Sequence, residues 1–124
     1  MTDHATRLLN VSISAEWRAY PCWVTRTNNP TPTDMPYSRM SIDYGVSEIL
    51  LKKIDEWNEE FQQLWDPADP ASTEFPSKED EERWTEHGRQ LAKQLATELG
   101  PDVRVTYYGE VIQAGSADRK RDDD

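Results

Sequence analysis

Near the start of the chain apolar residues fall at every second position: Leu9, Val11, Ile13, Ala15 and Trp17 alternate with Asn10, Ser12, Ser14 and Glu16. A period of two predicts a strand with one buried face. After Ala19-Tyr20-Pro21, the residues Cys22, Trp23 and Val24 resume as a second strand, because proline is tolerated where a strand begins. The two make a hairpin. Pro30, Pro32 and Pro36, with Asn28 and Asn29, resist both helix and central strand, so residues 25–38 read as a long loop. Met40, Ile42 and Tyr44 alternate with Ser41 and Asp43, which fits a short third strand.

The period then lengthens to that of a helix. Ser47 suits an N-cap, and Leu50, Ile54, Trp57, Phe61 and Leu64 step by four, three, four and three, with Leu51, Asn58 and Trp65 flanking the stripe. Asp66-Pro67-Ala68-Asp69-Pro70 ends this helix, since each proline disfavours helical geometry in the residue before it. Ser77 opens a second helix whose first turns carry Glu79, Asp80, Glu81 and Glu82 at the positive end of the helix dipole. Its stripe is Trp84, Gly88, Leu91, Leu95 and Leu99, and Gly100-Pro101 stops it. Val103, Val105 and Tyr107 alternate again as a final strand, with Val111 and Ile112 beyond Gly109 as its continuation.

These elements predict an α+β fold: a small, mainly antiparallel sheet with two helices packed on one face, in the order ββ(β)ααβ. The expected core is Leu9, Val11, Ile13, Leu50, Ile54, Trp57, Phe61, Trp84, Leu91, Leu95, Leu99, Val103 and Val105. Residues 1–6 read as a flexible N-terminus, 7–113 as one domain, and 114–124, without an apolar residue beyond Ala114 and Ala117, as a disordered tail.

Composition sharpens this picture. A mean hydropathy of −0.91 is low, yet five tryptophans supply large apolar surfaces at few positions, so a folded core is expected from the 124 residues. No apolar run approaches the roughly 20 residues of a membrane span, and no basic segment followed by an apolar block opens the chain. A cytoplasmic protein without membrane contact is the expectation. Cys22 is the sole cysteine, so no internal disulfide forms.

The net charge of −10 is concentrated: 13 acidic and 4 basic side chains lie between Glu48 and Glu86, against 11 and 10 elsewhere. Such a field repels nucleic-acid phosphate and anionic lipid and attracts a basic protein, while also serving solubility. Candidate partner-binding residues are the helix carboxylates Asp55, Glu56, Glu59 and Glu60, together with Arg26, Tyr37 and Arg39 in and beside the proline-rich loop.

Catalytic chemistry finds little foothold. His4, Cys22 and His87 sit on separate elements, so no metal site or cofactor is expected, and an apolar strand cysteine is a better reading of Cys22 than a nucleophile. No phosphate-binding glycine loop, nucleophile elbow or HExxH motif is present. Gly88, inside an otherwise strong helix, points to close approach of a backbone or tryptophan ring; Arg89 after it either turns inward onto a carboxylate or pairs with Glu86 at the surface.

The runs Ile54-Asp55-Glu56-Trp57, Asp69-Pro70-Ala71-Ser72-Thr73-Glu74-Phe75, Gly88-Arg89-Gln90-Leu91-Ala92 and Glu98-Leu99-Gly100-Pro101-Asp102-Val103 carry a resemblance. Over residues 51–103 the chain resembles a family of short, uncharacterised bacterial proteins with a Trp-bearing helix followed by an acidic Asp-Pro loop. The resemblance implies the helix, loop, helix, strand order and transfers no catalytic residue. In type, a compact acidic chain without catalytic motifs is similar to toxin-neutralising immunity proteins and phage-encoded inhibitors that occlude a basic active site. The functional expectation is therefore a non-enzymatic, acidic protein-binding module, with a small enzyme using helix carboxylates and a structural subunit as alternatives.

Overall fold

A computed structural model of the chain describes residues 7–64, 68 and 74–113. The expectations for residues 1–6 and 114–124, for His4, for Trp65 and for most of the Asp66–Pro70 helix stop lie outside the described residues. The elements run β1 (Leu8–Ile13), β2 (Cys22–Arg26), β3 (Asn29–Asp34), α1 (Tyr37–Tyr44), α2 (Glu48–Gln62), α3 (Lys78–Leu99), β4 (Arg104–Tyr107) and β5 (Glu110–Ile112). One five-stranded sheet has the order β3-β2-β1-β4-β5. Its pairings are antiparallel except for β1 with β4, which run parallel with Val11 opposite Val105 and Ile13 opposite Tyr107.

The α+β class and the helical layer agree with the reading of the periodicities, and α3 lies over β4 and β5 with α2 beside it. Alternation turns Val11, Ile13, Cys22, Val24, Val105 and Tyr107 into the core with Leu50, Ile54, Trp57, Leu91 and Leu95 of the helices. The capping signals also hold: Ser47 Oγ accepts from the Leu50 N–H at 3.2 Å, and Ser77 Oγ from the Asp80 N–H at 3.0 Å.

Four local readings are corrected. The segment Met40–Tyr44 is helical, not a strand: Tyr37, Met40, Ser41 and Tyr44 form an i, i+3, i+4, i+7 stripe over the core, and Ile42, counted as inward, is 71% exposed. The supposed loop 25–38 contains the end of β2, the whole of β3 and the start of α1, because prolines are compatible with a strand at the sheet's edge, which is where β3 lies. Leu9 is 42% exposed rather than core, since a register irregularity between Leu8 and Asn10 breaks the alternation and lets Leu8 pack inward. Val111 and Ile112 do not prolong the last strand but return antiparallel as β5. The turn is built by Tyr108 and Gly109, both left-handed at φ 48° and 87°, the signature of a two-residue hairpin.

Candidate functional site

Two aromatic arrangements decide how the helical layer meets the rest. In the first, the Trp57 and Trp84 rings stack at 4.4 Å with planes 7° apart. Each indole N–H donates to the other residue's backbone carbonyl at 2.9 Å, so both buried donors are satisfied without water. Gly88 makes this packing feasible: a Cβ there would lie 2.6 Å from the Trp57 ring and 2.5 Å from the Tyr107 hydroxyl, whose O–H donates to the Thr85 carbonyl at 2.7 Å. The close approach read from Gly88 is thus a ring contact. Arg89 takes the surface alternative, pairing with Glu86 at 2.7 Å and reaching Glu110 of β5 at 3.2 Å.

The second arrangement forms a groove of about 430 Å³ between α2, the start of α1 and the β1–β2 connection. Gln62 pins that connection to the helix: its Oε1 accepts from the Arg18 N–H at 3.1 Å, and its Nε2 donates to the Glu16 carbonyl at 2.8 Å and to Asn58 Oδ1 at 3.3 Å. Arg18 holds a left-handed backbone at φ 60°, a costly conformation for a side chain of its size that the surrounding bonds sustain. On the other wall the Tyr20 N–H donates to Asp34 Oδ2 at 3.0 Å, and the Tyr20 and Tyr37 rings meet edge to face at 5.3 Å. Asp55 and Glu59, one helical turn apart, line the α2 side.

The Tyr37 hydroxyl is closed off from solvent and makes no hydrogen bond among the described residues. Burial first, then the charge of Asp55, pushes its pKa well above the ordinary tyrosine range. Elsewhere burial pushes the Cys22 thiol up to about 12, which leaves it protonated and unsuited to nucleophilic work.

The candidate residues therefore divide. Tyr37, Asp55 and Glu59 come together in the groove; Glu56 is exposed on α2, and Glu60 lines a separate cleft with Arg83 and His87. Arg26 reaches the Tyr44 hydroxyl at 3.4 Å, and Arg39 pairs with Asp43 at 2.9 Å. Among the described residues Asp55, Glu56, Glu59 and Glu60 have no ion-pair partner, whereas Asp80 pairs with Arg83 and Glu86 with Arg89. Hydrogen bonds to those partners hold the Asp80 carboxyl below its usual pKa, and bonds from Gln90 and then Arg89 do the same for Glu86.

Arg18, Tyr20, Asp34, Asn58 and Gln62 were not singled out by the sequence reading as site residues. A signal existed for part of the set: Asp55, Asn58, Glu59 and Gln62 form a polar i, i+3, i+4, i+7 stripe beside the apolar one. Among the described residues no group of three or more His, Cys, Asp or Glu could hold a metal ion, and no helix is long and apolar enough to cross a membrane.

A family model described as Serratia CdiI immunity protein-like matches residues 9–110. The chain belongs to the Serratia CdiI immunity protein-like family. Comparison with curated proteins gives no match. The matched span begins in β1 and ends at the first residue of β5, so the immunity protein-like region takes in the helical layer, the groove and the whole of the 51–103 stretch that carried the narrower resemblance.

Proposed function

We propose that this chain is an immunity protein that neutralises a toxin by binding it, and that the carboxylate face of α2 meets a basic surface on that toxin. The family match over residues 9–110 carries the first part of the reading. The second is supported by the charge distribution: Asp55, Glu56, Glu59 and Glu60 stand on one helix without ion-pair partners among the described residues, inside the region that holds most of the chain's net charge. Unpaired carboxylates keep their field for a partner, steering its approach and raising the association rate.

The direct test is to read the neighbouring genes for a toxin domain and co-express the chain with it, scoring restored growth and a stable complex of the two purified proteins. Changing Asp55 to Asn and Glu56, Glu59 and Glu60 to Gln together should slow association by about 10-fold or more at low salt and leave the denaturation midpoint nearly unchanged, because solvated surface charges contribute little to stability. Salt should narrow the difference as the Debye length falls to about 3 Å at 1 M. Growth that is not restored, with no complex formed, overturns the immunity reading. A complex whose association ignores both salt and the four changes leaves immunity standing and removes the basic partner.

A further inference from the structure

We infer that the face of the sheet turned away from the helices is a self-association surface, on which two copies of this chain pack back to back about a two-fold axis. The alternation that sends Val11, Ile13, Val24 and Val105 into the core sends two rows of side chains the other way. In register, one row is Trp23, Ser12, Thr106 and Val111 across β2, β1, β4 and β5, and the next is Thr25, Asn10 and Arg104. None of the seven is buried, while the helices pack on the opposite side through Leu50, Ile54, Leu91 and Leu95. Arg104 is the only charge in the two rows, in a chain of which 31% of residues are charged, and neither row holds a carboxylate although the chain carries 24. Asp34, opposite Trp23 on β3, is engaged by the Tyr20 N–H at 3.0 Å.

The polar atoms of this face are bonded to one another. The Ser12 and Thr106 hydroxyls share a hydrogen bond, Asn10 Nδ2 donates to Ser12 Oγ at 3.3 Å, and the Trp23 indole N–H donates to the Ser14 carbonyl at 3.0 Å. Covering the face therefore strands none of these groups, which is the condition for a dry contact. Trp23 stands beside the small Ser12 and Thr106, a ridge next to a trough. A two-fold axis sets the Trp23 of each copy over the trough of the other, so one favourable contact is made twice.

Charge selects a second copy as the occupant. A basic surface is drawn to the acidic helical layer and gains nothing from Arg104. Two chains of net charge −10 repel each other, and stacking the sheets about 10 Å apart puts the helical layers on the outside, about 30 Å from each other and well beyond the Debye length of about 10 Å at 0.1 M salt. Five strands about 4.8 Å apart and roughly five residues long give each face about 400 Å² in plane, so the pair buries on the order of 1,000 Å² of accessible surface, the low end for a specific interface. A weak dimer follows, with Kd on the order of 10–100 μM.

Sedimentation of the full chain at 10–500 μM in 0.1 and 0.5 M NaCl is the test. Salt should tighten the dimer by about 5-fold, because it screens the repulsion between like-charged copies, the opposite of its effect on association with a basic toxin. Val111→Lys and Thr25→Lys each lower the net repulsion and yet should weaken the dimer by about 10-fold or more, because each buries an unpaired ammonium. Ile49→Lys makes the same change of charge at an exposed apolar residue of α2 and should alter Kd by less than about 2-fold. Circular dichroism and the denaturation midpoint establish that each variant is folded. A chain that stays monomeric at 500 μM in 0.5 M salt, or an association that responds equally to Ile49→Lys and Val111→Lys, overturns the inference. A monomeric chain whose toxin complex is weakened by Val111→Lys and Thr25→Lys gives the face to the toxin instead, overturning self-association and leaving the immunity reading intact.

Discussion

The α2–α3 pair and the β3–α1 segment both close over the ends of the same sheet, and they do so by different means. Between the two long helices the contact is made by rings: Trp57 on Trp84 at 4.4 Å, Phe61 on Trp84 at 5.6 Å, and Trp57 against Tyr107 of β4 at 6.2 Å. Two reciprocal indole hydrogen bonds fix their mutual position, and Ser47 at the start of α2 is tied through its N–H and hydroxyl to Glu98 near the end of α3 at 2.8 and 2.7 Å. The β3–α1 segment instead hangs on an edge strand, with Met35 and Met40 as buried anchors and a helix that begins at Pro36 without a side-chain cap. Its path is set by what it leans on. The difference teaches that the helical layer is a rigid frame and the β3–α1 segment an arm held against it, with the groove in the seam between them.

The largest effects should come from the frame. Trp57→Ala removes the central ring of the stack and the indole N–H that donates to the Trp84 carbonyl, while the backbone carbonyl of residue 57 still accepts from the Trp84 indole, and should destabilise the fold by roughly 3–5 kcal/mol in a denaturation experiment. Gly88→Ala adds a single methyl where the nearest atoms belong to an aromatic ring and a bonded hydroxyl. Overpacking there should cost about 1–3 kcal/mol in spite of the roughly 1 kcal/mol that alanine gains in helix propensity. A neutral or stabilising Gly88→Ala would show that the frame yields, and would erase the contrast with the arm.

The same contrast explains what was legible in the sequence. Across α2 and α3 the apolar period, the serine caps and the Gly100-Pro101 stop all report on the same local geometry, and Gly88 signals the close approach of a backbone or a tryptophan ring, of which the structure has the ring. In the segment 37–44 two periods coexist: Met40, Ile42 and Tyr44 read as a strand, while Tyr37, Met40 and Tyr44 read as a helix. Only the neighbouring α2 and sheet choose between them, and that choice is tertiary. Pro30 and Pro32 mislead for a related reason, because a strand that tolerates them must be an edge, and edge position is a property of the whole sheet order. The groove was half visible. Asp55 and Glu59 share a helix face by spacing alone, but Arg18, Tyr20 and Asp34 reach them only through strand pairing across distant parts of the chain.

High pH should loosen the arm's end of the sheet. Cys22 of β2 is fully buried, its carbonyl accepts from the Met35 N–H at 2.9 Å, and burial raises its thiol from 9.0 to about 12. Above pH 9 the unfolded chain loses this proton and the folded chain keeps it, so the folded state binds more protons and its stability falls as pH rises. The contribution is fully present below about 9 and declines toward 12, by up to about 1.4 kcal/mol per pH unit. Burial raises the Tyr37 and Tyr107 phenols in the same direction, so they add to the decline from pH 10 upward. Chemical denaturation of wild type and Cys22→Ala between pH 8 and 11 separates the thiol: the variant starts less stable, and its curve should be flatter between 9 and 10. Parallel curves would mean that Cys22 is reached by water, and that the arm opens more readily than its packing implies.

The smallest effect on stability is expected at Pro32, and there the informative readout is association. The Met35 N–H donates inward to Cys22, and alternation along β3 turns the position of the Pro32 nitrogen outward, where no strand among the described residues lies. Proline has no N–H to offer at that position, so this part of the edge cannot donate to a foreign strand. Pro32→Thr restores the donor and adds a residue favoured in strands, on an exposed side, without touching the core. The denaturation midpoint should move by no more than about 0.5 kcal/mol in free energy, while sedimentation or light scattering should show more concentration-dependent self-association than the wild-type chain under the same conditions. A loss above about 1 kcal/mol with no association would reverse the assignment: the proline would then be acting by restricting the unfolded chain, and the arm would owe its position to local stiffness rather than to the frame it leans on.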